Sequence, residues 1–128
     1  MRLMVDTHAL LWALYDHTRL SKKAAKLITQ KNTQISLSIA SLWEIAIKTS
    51  SGKLKLGRSY NEFLDEFILS HPIQIEPITT KVLVENEKLP WHHRDPFDRL
   101  IIAQALNQDI PILSADNNFA HYRVKVLW

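Results

Sequence analysis

Arg2-Leu3-Met4-Val5-Asp6-Thr7 decides how the rest of this chain is read. Four residues with an apolar centre make a strand short enough to be buried on both faces, and an acid ends it at once. From Thr7 onward the apolar residues Leu10, Leu11, Leu14 and Tyr15 switch to helical spacing. A buried strand running straight into a helix is the opening of an α/β unit, with the acid at the carboxyl end of the strand.

The same grammar repeats. Ser21 is a good N-cap for a helix with Ala24, Ala25, Leu27 and Ile28 on its inner face. Ile35 and Leu37 alternate with Gln34, Ser36 and Ser38, which predicts a second strand. A helix through Leu42, Trp43, Ile45, Ala46 and Ile47 ends before Ser50-Ser51-Gly52. Tyr60 to Leu69 reads as an amphipathic helix stopped by Pro72, Ile73 to Ile78 as an extended segment, and Thr79 to Lys88 as another helix. Asp95-Pro96 opens a strongly apolar helix through Leu106, because proline suits the first helical position. Ile110 to Leu113 and Val124 to Leu127 are the last strands, with a turn from Asp116 to Tyr122 between them. Short apolar strands separated by helices predict a central parallel sheet covered on both faces.

Composition bounds the rest. The 128 residues, 46% of them hydrophobic, suit a single domain spanning 1–128. Without cysteine there is no disulfide framework and no thiolate metal site, which fits a reducing cytoplasm. Asp6 and His8 break the first apolar run, so no signal peptide is expected, and no stretch approaches the roughly 20 apolar residues a membrane helix needs. The net charge of +3 tolerates polyanions without specifying them.

Four acids stand out by position. Asp6 follows the first strand, Glu44 lies early in the helix after the second, Asp98 in the first turn of the Asp95-Pro96 helix, and Asp116 just after the Ile110–Leu113 strand. Ligands in open parallel sheets bind beyond the carboxyl ends of the strands. Carboxylates gathered there repel one another, and a hard divalent cation, Mg²⁺ or Mn²⁺, resolves the repulsion. Such an ion can hold a phosphodiester and activate water. Each acid also has a plain alternative. Ser41-Leu42-Trp43-Glu44 fits a capping box, Asp95 and Asp98 fit a helix start, Asp116 a turn, and Asp6 a cap for the first helix. Their joint placement favours a metal site.

Leu3-Met4-Val5-Asp6-Thr7, Ser41-Leu42-Trp43-Glu44-Ile45, Asp95-Pro96-Phe97-Asp98-Arg99-Leu100-Ile101-Ile102-Ala103-Gln104-Ala105 and Leu113-Ser114-Ala115-Asp116-Asn117-Asn118-Phe119 together resemble the PIN-domain nucleases. Among these, the VapC-type toxins of bacterial toxin–antitoxin pairs are the nearest in pattern. The resemblance implies a three-layer α/β/α domain with a short central parallel sheet that hydrolyses RNA with Mg²⁺ or Mn²⁺, leaving a 5′-phosphate and a 3′-hydroxyl. It implies Asp6, Glu44, Asp98 and Asp116 as the catalytic, metal-holding acids, with Thr7 and Ser114 as the accompanying hydroxyls. The family pattern of an acid followed by Leu-Ile and a small residue favours Asp98 over Asp95 as third acid, leaving Asp95 as a cap in support. Ser114 stands where the family usually has threonine. The implied partners are RNA, a cognate antitoxin and a second copy of the chain, in the cytoplasm and not at a membrane. The competing expectation is a catalytically silent PIN fold that binds RNA or protein.

Basic residues near these motifs are candidate RNA contacts: Lys48, Lys53, Lys55 and Arg58 past the Glu44 helix, and His93, Arg94 and Arg99 around Asp95. The six histidines do not make a zinc site, since His92 and His93 are adjacent and no His-Glu-x-x-His pattern exists. Trp12 and Trp43, with apolar helical neighbours, are expected in the core, and Tyr60, Phe63, Leu64 and Phe67 are expected to offer a surface for a partner.

Overall fold

The computed structural model describes all residues from Met1 to Trp128. Five parallel strands, β1 (Arg2–Val5), β2 (Gln34–Ser38), β3 (Ile73–Glu76), β4 (Ile112–Leu113) and β5 (Val126–Leu127), form one sheet in the order β3-β2-β1-β4-β5. The helices are α1 (Thr7–Tyr15), α2 (Lys22–Thr29), α3 (Ile39–Ser50), α4 (Tyr60–Phe63), α5 (Thr80–Lys88) and α6 (Pro96–Gln108). Helix α4 runs on through a π-helical stretch at Leu64–Leu69, which lets the expected single helix over 60–69 shift its inner face partway. This is the α/β class expected from the strand–helix alternation.

Side-chain parity in β1 divides the core. Leu3 and Val5 face one way, into a cluster with Leu10, Ala24, Leu42, Ile45, Phe63 and Ile68 from α1 to α4 and the stretch that continues it. Met4 faces the other way, into a cluster with Val82 of α5 and Ile101, Ile102 and Ala105 of α6. Three layers follow. Caps set the helix starts: Ser21, Thr79 and Asp95 each accept a backbone N–H of the first turn. Alternation in β2 does not mean a wet face, since Ser36 and Ser38 are fully buried in a sheet covered on both sides.

The chain leaves β1 toward β2 and β3 in one direction, and β4 and β5 add on the other side. Neighbouring connections therefore diverge between β1 and β4, which opens a crevice at the carboxyl ends of those two strands. Residues Asp6 and Asp116 follow those two strands.

Candidate active site

Asp6 is 3% exposed and uses both carboxylate oxygens. Oδ1 accepts the Ala9 backbone N–H at 2.7 Å, capping α1, and Oδ2 accepts the Ser114 hydroxyl at 2.5 Å. Ser114 Oγ in turn accepts the Asp116 backbone N–H at 3.0 Å, so one hydroxyl ties the ends of β1 and β4 together. Asp116 Oδ1 caps the following 3-10 turn through Asn118 N–H at 2.9 Å. Capping and clustering thus coexist at these two acids. Burial pushes the Asp6 carboxyl above its ordinary value, against the pull of its hydrogen bonds to Ser114 and Ala9.

Glu44 loses its plain alternative. Helix α3 begins at Ile39 with Ser38 as cap, its Oγ accepting Ala40 N–H at 3.0 Å, so Glu44 lies beyond the first turn and closes no capping box with Ser41. Ser41 is buried, and its Oγ instead accepts the hydroxyl of Thr7 at 2.9 Å, joining α3 to α1. Glu44 is 4% exposed, and Lys48 Nζ meets its Oε2 at 2.7 Å. This buried carboxylate thus has a cation one helical turn away on α3.

Asp98 sits in the first turn of α6, where Asp95 Oδ1 accepts the N–H groups of Phe97 and Asp98 at 2.9 and 3.0 Å. A helix N-terminus favours an anion. Burial outweighs that, and the nearby charges of Asp95, Asp6, Glu44 and Asp116 add to it, so the Asp98 carboxyl is pushed up to about 8. Four other acids are felt at a single carboxyl. The donors are all oxygens, the set that hard divalent ions take, although no three His, Asp or Glu side chains converge closely enough to enclose an ion as they stand.

A cleft of about 230 Å³ opens beside this edge, lined by Asp6, His8, Trp12, Ala115 and Asp116. A second of about 540 Å³ shares His8 and Trp12 with it and runs past Arg19, Lys48, Lys53 and Lys55. Lys53 and Lys55 are exposed, as is Arg94 in the segment just before α6. Two other basic residues differ from expectation. Arg99 is 4% exposed, donates to the carbonyls of Pro90 and Leu89 and to Tyr122 Oη, and stacks on Trp91 at 3.8 Å. It anchors the segment before α6 and so does not sit on the surface where a basic contact was expected. Arg58 pairs with Glu66 and lies 4.6 Å from the Phe67 ring, which holds it on the α4 side. His93 is mostly enclosed rather than on a rim, its Nε2 3.6 Å from Asp98 Oδ2, and burial lowers its ring below the ordinary histidine value.

The aromatic residues also depart from the expectation. Trp43 is 59% exposed, touching Phe97 edge-on, and Trp12 is half-buried at the cleft mouth against Trp128. Phe63 is fully buried, and Tyr60, Leu64 and Phe67 pack on the same core, so they are not a free partner surface. Open apolar side chains include Ile39, Trp43 and Ile47 on α3 and Leu83 and Val84 on α5, besides Leu69 and Trp91. His8 escaped the reading of the sequence, although its place two residues after a strand-end acid was a usable signal.

A search of curated proteins finds no significant match. Among solved structures the chain is similar to one in the crystal structure of VapBC2 from Rickettsia felis bound to a promoter DNA fragment, with TM-score 0.74 and 18% identity over 99% of this chain and 98% of that one. It is similar to a chain of FitAcB from Neisseria gonorrhoeae, with TM-score 0.70 and 18% identity over 98% and 96%. It is also similar to VapC20 of Mycobacterium tuberculosis, a toxin that cleaves the sarcin–ricin loop, with TM-score 0.64 and 18% identity over 93% of each chain. These likenesses concern the fold, while the PIN domain family itself matches residues 3–125. With that match taking in most of β1, all of β2 to β4 and the four acids Asp6, Glu44, Asp98 and Asp116, the chain belongs to the PIN domain family.

Proposed function

We propose that this protein is a divalent-metal-dependent endoribonuclease and the toxin of a toxin–antitoxin pair. The observation that carries the proposal is the gathering of acids at the carboxyl edge of the sheet: Asp6 and Glu44 are buried, Ser114 ties Asp6 to Asp116, and Asp98 stands in the first turn of α6 with its carboxyl raised by burial and by these neighbours. A fold gains nothing from such a grouping without a cation to neutralise it. A silent binding module has no use for it.

Asp6, Glu44, Asp98 and Asp116 would hold Mg²⁺ or Mn²⁺, with Ser114 fixing Asp6 and Asp95 fixing the first turn beneath Asp98. When bound, the ion supplies Lewis acidity and charge neutralisation at a phosphodiester. The chain's own residues do the rest. Lys53 and Lys55 line the larger cleft and attract a polyanionic strand toward the acids. Trp12, at the join of the two clefts, offers a ring face against which a base can stack. His8 closes the cleft wall beside Asp6. The partners this reading implies are RNA, an antitoxin and a second copy of the chain, and the open apolar side chains of α3 and α5 are available to the protein partners.

Asp6→Asn keeps the shape of the side chain and removes its charge. The variant is expected to fold and to lose Mn²⁺-stimulated cleavage of single-stranded RNA by about a hundredfold or more, the scale of several kcal/mol of lost metal assistance. Cleavage at the wild-type rate would sink the nuclease reading. For the toxin role, expression alone should slow growth of the host and Asp98→Ala should relieve it.

A further inference from the structure

The chemistry of His93 is fixed by a residue 29 positions away. The Tyr122 oxygen lies 2.7 Å from His93 Nδ1, 3.3 Å from the His93 backbone nitrogen and 3.2 Å from Arg99 Nη1. The backbone N–H and the guanidinium can only donate. They fill the acceptor positions of the phenol oxygen and leave its single hydrogen for Nδ1. His93 Nδ1 is therefore an acceptor, and the ring proton is on Nε2.

That Nε2–H is sealed from solvent and has no hydrogen-bond partner. The side chain is nine-tenths buried, and Asp98 Oδ2 faces Nε2 at 3.6 Å, a few tenths of an ångström beyond ordinary N–H···O reach. A buried donor without an acceptor is costly, and a small turn of Asp98 ends that cost. We infer that His93 is a positioning residue: Tyr122 sets its tautomer so that Nε2–H holds the Asp98 carboxylate in one orientation within the acid cluster. Histidine–carboxylate contacts behind a metal ligand orient it in this way. The inference rests on the proposed role of Asp98 in holding a divalent ion.

The plain alternative is an aromatic side chain packed on Tyr122 and Phe119, at ring distances of 5.4 and 6.1 Å. Three variants separate the two. His93→Phe keeps a ring and removes the donor, His93→Gln keeps a donor near the Nε2 position, and Tyr122→Phe releases the tautomer. Imidazole ¹⁵N spectra of the metal-free wild type should show Nε2 protonated and Nδ1 bare, with Tyr122→Phe mixing the two forms. Calorimetric titration with Mn²⁺ should show affinity lowered about tenfold in His93→Phe and largely kept in His93→Gln. An Nδ1–H tautomer in the wild type, or His93→Phe binding Mn²⁺ as tightly as wild type, overturns the inference. Should the wild type bind no Mn²⁺, the metal reading falls separately. The Asp98 carboxyl ¹³C shift then decides: a change in His93→Phe sustains the contact and an unchanged shift refutes it.

Discussion

Glu76 and Asp98 are both carboxylates withdrawn from water beside helix α6, and their surroundings differ in every respect. Glu76 meets the C-terminal half of the helix. Its Oε1 accepts from Arg2 at 2.9 Å and Ser36 at 3.0 Å, and its Oε2 accepts from Gln108 at 2.9 Å, while its backbone carbonyl takes Gln104 Nε2 at 3.0 Å. Asp98 sits ten residues before Gln108, about 15 Å along the axis. There the charged neighbours are Asp95, Asp6, Glu44 and Asp116, and only His93 leans toward it. A buried acid ringed by donors is complete and holds the fold together. A buried acid ringed by acids has no such set of partners within the chain, which is the contrast the proposed cation would resolve.

The sharpest way to break this contrast is to remove each carboxylate in turn. Asp98→Asn is expected to cost about a hundredfold or more in RNA cleavage while leaving the metal-free fold as stable as before or more so, because the amide is neutral without having to take up a proton on folding. Glu76→Ala should do the reverse, stranding Arg2, Ser36 and Gln108 at a cost of about 2–4 kcal/mol in a denaturant titration, with activity per folded molecule unchanged. If both variants fail in the same way, the distinction between the two ends of α6 is lost.

Acidity sharpens it further. The folded-state value of Asp98, about 8, lies above its ordinary 3.8, so the folded protein binds the extra proton between those values. Stability of the metal-free protein is thus greatest at the acidic end of that window and declines as pH rises toward 8. Asp6, raised by burial, acts in the same direction. Melting midpoints measured in chelator from pH 5 to pH 8 should fall in the wild type and fall less in Asp98→Asn. A flat wild-type profile contradicts the crowded-acid picture. A smaller effect is expected at Lys53 and Lys55. Changing both to alanine should weaken RNA binding a few-fold and reduce the salt dependence of binding by about two phosphate contacts, which binding isotherms at several salt concentrations will show.

Much of this was legible in the sequence. Strands and helices followed from short apolar runs bounded by Ser21, Thr79 and Asp95, because caps act within three residues of themselves. The start of α3 was not, since Ser38 and Ser41 are equally good caps on paper and only the packing of Ser41 against Thr7 chooses between them. Burial of Arg99 depends on Tyr122, and the role of Glu76 depends on Arg2 and Gln108; such long-range partners leave no local periodicity to read. Trp43 looked like core because its neighbours in sequence are apolar, yet it lies on the outer stripe of α3 with Ile39 and Ile47, at helical spacing. The acids were visible because strand ends and helix starts are positions a sequence does mark.

The most direct test is calorimetric titration of Mn²⁺ into metal-free protein at pH 7, in two buffers of different ionisation enthalpy, with Asp98→Asn alongside. An ion entering the cluster must displace the proton that Asp98 carries there, since ligands bind metal deprotonated. The predicted result is binding by the wild type with release of a proton, and much weaker binding without that release by Asp98→Asn. Equal binding by both proteins would contradict the claim that these acids form a cation site, and wild-type binding with no proton released would contradict the raised Asp98 carboxyl.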